Sequence, residues 1–88
     1  GIKVIAGTLL PFKGSPFFNE AGEVKRQTYN NWILTSGAFD GVVDFDAALR
    51  NPADPQQIDP ALQIGDNLHP NATGYKAMAD AVDLNLFK

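Results

Sequence analysis

Two short apolar runs, Ile2 to Leu10 and Gly41 to Asp46, flank a stretch with helical spacing, and this arrangement restricts the fold more than any other feature of the chain. Apolar residues follow one another in both runs instead of alternating, the pattern of strands buried on both faces of a parallel sheet. Parallel neighbours need a long crossover. The intervening segment supplies one: Glu23 to Ser36 reads as a helix, with Val24, Thr28 and Trp32 and then Tyr29 and Ile33 at i, i+4 spacing along its apolar face. Glu23 suits its first turn and Gly37 its C′ position.

Phe12 to Gly22, punctuated by Gly14, Pro16 and Gly22, reads as a loop whose Phe12, Phe17 and Phe18 form a cleft wall. Ala47 to Gln63 holds Pro52, Pro55 and Pro60 among Asp, Asn and Gln. It reads as a long loop with one helical turn near Ala47–Arg50, and a loop of that length in a compact domain is usually functional. Asn71 is placed to cap a final helix reaching Phe87, with Tyr75, Met78, Ala79, Val82 and Leu86 in one stripe. The order strand, helix, strand, loop, helix is a βαβα unit of the α/β class, with a right-handed crossover expected.

Chemistry concentrates in Asp66-Asn67-Leu68-His69-Pro70. His69 is the chain's one histidine, the residue type whose unperturbed pKa of about 6.5 suits a general base. A carboxylate three positions earlier can fold back on the imidazole, fix its tautomer and stabilise the imidazolium. Pro70 keeps His69 extended, and the helix that follows at once gives rigid support. On spacing alone the pair reads more readily as a capping or packing arrangement than as a catalytic one, and as a metal site it is weak, with two ligands and no third. Asp44, Asp46, Asp54 and Asp59 read as turn-forming and solvated residues.

Composition closes off other classes. The net charge is −3 and no basic cluster exceeds Lys25-Arg26, so a nucleic-acid footprint is absent. No apolar run has the length of a membrane span. Without cysteine the chain has no disulfide, no thiolate metal site and no thiol nucleophile. Eighty-eight residues suffice for one small domain with a thin stability margin. The chain opens directly into its first apolar run without Met, and residues 1–88 are expected to be the C-terminal part of a single longer domain.

Gly65-Asp66-Asn67-Leu68-His69-Pro70-Asn71, followed by Gly74-Tyr75 and the helix through Ala79, resembles the last conserved block of the SGNH, or GDSL-type, esterase and lipase family. Thr8-Leu9-Leu10-Pro11-Phe12 resembles the end of that family's penultimate strand, and Val42-Val43-Asp44-Phe45 its last strand. The segment from Trp32 through Arg50 is similar to members that are often secreted acylhydrolases, some of them cleaving carbohydrate esters. The resemblance implies the C-terminal βαβα portion of a three-layer α/β/α, flavodoxin-like SGNH hydrolase fold. It also implies that His69 is the base and Asp66 its orienting acid in a Ser-His-Asp triad of a secreted ester hydrolase that needs no cofactor and no metal.

The family's nucleophilic Ser, in a Gly-Asp-Ser block near the N-terminus, and the Gly and Asn of its oxyanion hole have no counterpart in this chain. Ser15 and Ser36 read as turn residues, and Asn67 and Asn71 lie beside the His, in the wrong block for an oxyanion role. The expected partners are therefore a lipid or carbohydrate ester and the N-terminal part of the same domain, with the isolated chain inactive. The alternative is a small non-catalytic module that associates, with copies of itself among others, through an open sheet edge.

Overall fold

A computed structural model describes residues 1–88. Strand β1 (Ile5–Gly7) leads through a loop to helix α1 (Glu20–Thr35), and β2 (Gly41–Val43) runs directly into a short helix α2 (Phe45–Leu49). A hairpin of β3 (Arg50–Asn51) and β4 (Asp54–Ile58) follows, then a 3₁₀ turn over Pro60–Leu62. Helix α3 (Ala72–Asp80) and a terminal 3₁₀ turn (Leu84–Phe87) complete the chain. β1 and β2 pair in parallel with Ile5 opposite Gly41 and Gly7 opposite Val43, joined by α1 as the crossover, so the architecture is α/β as expected.

The strands are shorter and less buried than the apolar runs suggest. Ile2 is 91% exposed, and β1 is only half-buried because β2 is its sole partner. The Thr8 N–H still donates to Val43 C=O at 3.0 Å, and beyond it the backbone leaves the partner strand for a side chain: Leu9 N–H donates to Asn30 Oδ1 at 2.7 Å and Leu9 C=O accepts from Asn30 Nδ2 at 2.9 Å. The second run likewise stops at Val43, because Asp44 turns its carboxylate onto the Ala47 N–H and caps α2 at 3.0 Å.

Helix α1 turns the opposite face inward from the one its apolar spacing predicts. Val24, Tyr29 and Trp32 are about half exposed or more, whereas Glu23, Arg26 and Asn30 are buried. The reason is an ion-pair network. Arg26 Nε and Nη2 grip the two Glu23 oxygens at 2.7 and 2.9 Å, and Nη1 lies 3.0 Å from Asp46 Oδ1. Burial works against the Arg26 charge, but Glu23 and Asp46 outweigh it and hold its pKa above the ordinary arginine value. Asp46 is thereby not the solvated turn residue expected of it. Thr8 Oγ1 accepts from the Asp46 N–H at 2.9 Å and donates to Asp44 Oδ1 at 3.0 Å, which ties the end of β1 to the start of α2.

The apolar core is small: Val43, Leu49 and Ile58, with Pro11, are its buried members. Leu49 and Ile58 come from the segment read as a long loop. The helical turn expected near Ala47–Arg50 is present as α2, but the rest of the segment forms the β3–β4 hairpin where a loop was expected, with Arg50 paired to Ile58 and Asn51 to Asp54 across a bulge. Its prolines fit because none is needed as a ladder donor: Pro52 lies in the turn, Pro55 on a two-stranded ribbon, and Pro60 opens the 3₁₀ turn. Asp59 and Asp54 do have the local turn roles expected, accepting from Ala61 N–H at 2.9 Å and Gln56 N–H at 3.3 Å.

The expected stripe of the last helix is cut at Asp80; Val82 falls in the bend that follows, and Leu86 lies in the terminal 3₁₀ turn, where it covers Gly41. Helix α3 approaches the Pro60–Leu62 turn so closely that a Cβ on Gly74 would lie 2.2 Å from Leu62 O and 2.9 Å from Pro70 Cβ.

Two substitutions test this account by urea unfolding. Gly74→Ala should destabilise by roughly 1–2 kcal/mol, because overpacking of up to about 3 kcal/mol against a backbone carbonyl outweighs the helix propensity of about 1 kcal/mol that alanine gains; an unchanged or higher midpoint would refute the close approach. Arg26→Met, which leaves the buried Glu23 without an ion-pair partner and Asp46 with only the partly exposed Arg50 at 3.7 Å, should destabilise by about 3–5 kcal/mol, and a loss of less than 1 kcal/mol would rule out the network as a structural centre.

Candidate active site

The stretch from Gly65 to Pro70 is a tight excursion closed at its neck. Gln63 and Pro70 face each other in an antiparallel bridge, and the Ile64 N–H donates to His69 C=O at 3.1 Å. Two residues inside it adopt the left-handed region, Gly65 at φ 106° and Asn67 at φ 58°. Asn is among the few residues that tolerate that conformation.

Asp66 organises this turn. Its Oδ1 accepts from the backbone N–H groups of Leu68 and His69, both at 2.9 Å, and its Oδ2 meets His69 Nδ1 at 2.5 Å. One carboxylate therefore fixes both the backbone that carries the imidazole and the imidazole itself. An ionised carboxylate only accepts hydrogen bonds, so Nδ1 carries a proton, and in the neutral imidazole Nε2 is the nitrogen that presents its lone pair. Nε2 makes no hydrogen bond within the chain, and the His69 side chain is 60% exposed.

The hydrogen bond from the imidazole, reinforced by the two backbone N–H groups, lowers the Asp66 pKa to about 2. Immediately after the turn Asn71 caps α3, accepting from the Gly74 N–H at 2.9 Å and donating through Nδ2 to the Ala61 and Gln63 carbonyls, both at 3.1 Å. The predicted cap is thus present, and it also anchors the base of the loop.

The surroundings match the sequence reading in part. Phe12 and Leu68 border a shallow apolar cleft of about 400 Å³ together with Leu9, Leu10 and Tyr29, with Lys25 and the paired Arg26 also lining it. Phe12 is therefore a cleft wall next to the residue preceding His69, and Phe18 packs on it with ring centroids 5.1 Å apart. Phe17, also expected there, is 69% exposed and outside the lining.

Ser15 and Ser36 are turn residues, accepting from the Phe17 and Ala38 N–H groups at 3.3 and 3.2 Å, and neither bonds to His69. No group of three His, Asp or Glu side chains converges to hold a metal ion, and no helix is long and apolar enough to cross a membrane.

Sequence reasoning missed Gln57, Gln63 and the role of Asn67. Asn67 Oδ1 accepts from both glutamine amides, at 2.8 and 3.0 Å, and the Asn67 N–H donates to Gln63 Oε1 at 2.7 Å. The usable signal was an Asn-rich turn following a segment with two glutamines that no apolar pattern explained.

Because Asp66 has a depressed pKa, the folded state favours its ionised form. Its contribution to stability is complete above the ordinary aspartate value of about 3.9 and is lost as pH falls through about 2. Asp66→Asn should therefore show a shallower decline of stability between about pH 4 and pH 2 than the unmodified chain, measured by urea unfolding across that range. Superimposable pH profiles would show that the carboxylate is not held in its charged form by the turn.

No individual curated protein matches the chain. Residues 1–77 match the GDSL-like Lipase/Acylhydrolase family. That span takes in both strands of the parallel sheet, the hairpin and the start of α3, and the chain accordingly belongs to the GDSL-like lipase/acylhydrolase family.

Proposed function

We propose that this chain supplies the acid–base half of a Ser-dependent carboxylic-ester hydrolase: His69 is the general base and Asp66 its orienting acid. The observation that carries the reading is the double grip of Asp66 on the turn, with Oδ2 on His69 Nδ1 and Oδ1 on the His69 N–H, while Nε2 stays unbonded. A serine hydroxyl brought to Nε2 would lose its proton there as its oxygen bonds to the acyl carbon. The same proton then passes to the leaving alcohol as the C–O bond breaks, and water repeats the cycle on the acyl-serine. Imidazolium formed midway is stabilised by Asp66, and the sequence of steps calls on no cofactor.

Neither serine of this chain is poised for attack, so the nucleophile and the oxyanion donors belong to another part of the same domain, and the isolated 88-residue chain is expected to be inactive. In this reading β1, α1, β2 and α3 are the C-terminal βαβα portion of a three-layer, flavodoxin-like SGNH domain. The outward apolar side chains Val24, Tyr29, Trp32 and Leu34 of α1, together with the open edges of the β1–β2 pair, favour association of this chain with the rest of that domain. In this reading the parent is a secreted enzyme acting on a lipid or carbohydrate ester, as the family resemblance suggests.

In the intact enzyme His69→Ala should lower kcat/KM on a p-nitrophenyl ester by about 10²–10⁴-fold or more, the range typical of general acid–base catalysis. Asp66→Asn should give a smaller loss. Near-unmodified turnover by His69→Ala would overturn the assignment.

A further inference from the structure

The excursion that carries His69 is held from outside by a segment with no assigned part in the chemistry. Gln63 lies at its neck and is buried, 8% exposed. Every hydrogen-bonding end of its amide is engaged: Nε2 donates to Ile58 C=O at 2.9 Å and to Asn67 Oδ1 at 3.0 Å, and Oε1 accepts from the Asn67 N–H at 2.7 Å. Gln57 on β4 adds a second donor to Asn67 Oδ1 at 2.8 Å, and its own Oε1 accepts from Asn51 Nδ2 of β3 at 3.1 Å.

Asn67 is the residue in the left-handed conformation between Asp66 and Leu68. Its side chain also rests against the backbone of Gly14, where a Cβ would come within 2.7 Å of Asn67 Cγ. A non-glycine residue at positive φ persists when its surroundings over-determine it, and here three segments do so. Releasing Asn67 would free the peptide that carries the Leu68 and His69 N–H groups, both of which Asp66 must reach while it holds the imidazole.

We infer that Gln63, acting through Asn67 and assisted by Gln57, is a positioning residue for the Asp66–His69 pair: the two-glutamine clamp on Asn67 Oδ1 locks the left-handed turn that aims the imidazole. Its part in catalysis rests on the proposed role of His69. The clamp itself does not, because it determines the tautomer of His69 whether or not an ester is turned over. Asn67 Nδ2 makes no hydrogen bond, so an aspartate at that position keeps the acceptor oxygen and tolerates the same backbone conformation.

The test reads the His69 tautomer from long-range ¹H–¹⁵N spectra of the neutral imidazole in the 88-residue chain, with the backbone amide spectrum as a control for folding. The unmodified chain should show the Nδ1–H tautomer, and Asn67→Asp should retain it. Asn67→Ala and Gln63→Met should lose that preference and shift toward the Nε2–H form, with amide resonances of β1, α1 and β2 unchanged. Should Gln63→Met fail to fold, Gln57→Leu on the half-buried hairpin replaces it, with a partial shift expected.

Retention of the Nδ1–H tautomer in folded Asn67→Ala, or its loss in Asn67→Asp to the same extent as in Asn67→Ala, would overturn the clamp. In the intact enzyme Asn67→Ala and Gln63→Met should lower kcat with little change in KM, and Asn67→Asp should leave both near their unmodified values. A tautomer shift with no effect on ester turnover would leave the clamp standing and remove the catalytic reading of His69.

Discussion

The fold depends first on a buried charge cluster. Arg26, Glu23 and Asp46 meet where β1 ends, α1 passes and α2 begins, with Asn30 and Thr8 binding backbone groups beside them. Three buried apolar side chains, Val43, Leu49 and Ile58, are a slender core for a domain of this length. Polar contacts therefore decide how the elements are placed. The energetics of such a cluster are asymmetric: assembled, it roughly balances its desolvation penalty, but without Arg26, which bridges both acids, Glu23 stays buried with no ion-pair partner. Specificity of arrangement is its contribution here. Asn30 binds both the N–H and the C=O of Leu9, and only one placement of α1 against β1 permits that pair of bonds.

That cluster also explains what the sequence disclosed and what it concealed. The element types of the βαβα frame, the cap at Asn71, Gly37 in the left-handed position after α1 and the Asp66–His69 pair were all legible, because each rests on local rules: apolar runs, capping chemistry and short spacing. The inward face of α1 was not. Glu23, Arg26 and Asn30 do fall on one helical stripe, but a charged stripe reads as solvent-facing unless its long-range partner is known, and Asp46 was one acid among several. The hairpin at residues 50–58 was hidden for a related reason. Its strands carry Asn, Asp, Pro and Gln where a pattern search expects β-branched residues, and its stability comes from Ile58 and Leu49 at the core and from amide contacts.

The site inherits this construction. His69 is exposed, and exposed side chains ordinarily sample several rotamers, so orientation must come from the groups around it. Orientation is supplied in nested steps. Asp66 holds the imidazole and the backbone beneath it, Asn67 holds the left-handed bend, Gln63 and Gln57 hold Asn67, and the hairpin that carries Gln57 buries Ile58 in the core. All of these steps but the last are made by hydrogen bonds, each modest by itself, yet together they link an exposed loop to buried structure with few free torsions.

Asp66 makes this coupling unusually tight, because one carboxylate serves two functions that many turns divide between two groups. Its Oδ1 closes the backbone turn as any Asx residue could, and Asn in its place would still accept the Leu68 and His69 N–H groups. Only the second oxygen distinguishes Asp: an amide there presents either an N–H or a weaker acceptor to Nδ1, and an N–H would drive the ring to the opposite tautomer, with the proton on Nε2. The loop can therefore keep its shape while the imidazole loses its competence as a base. Backbone geometry at residues 65–70 and proton placement on His69 are separable properties, and only the carboxylate at position 66 joins them.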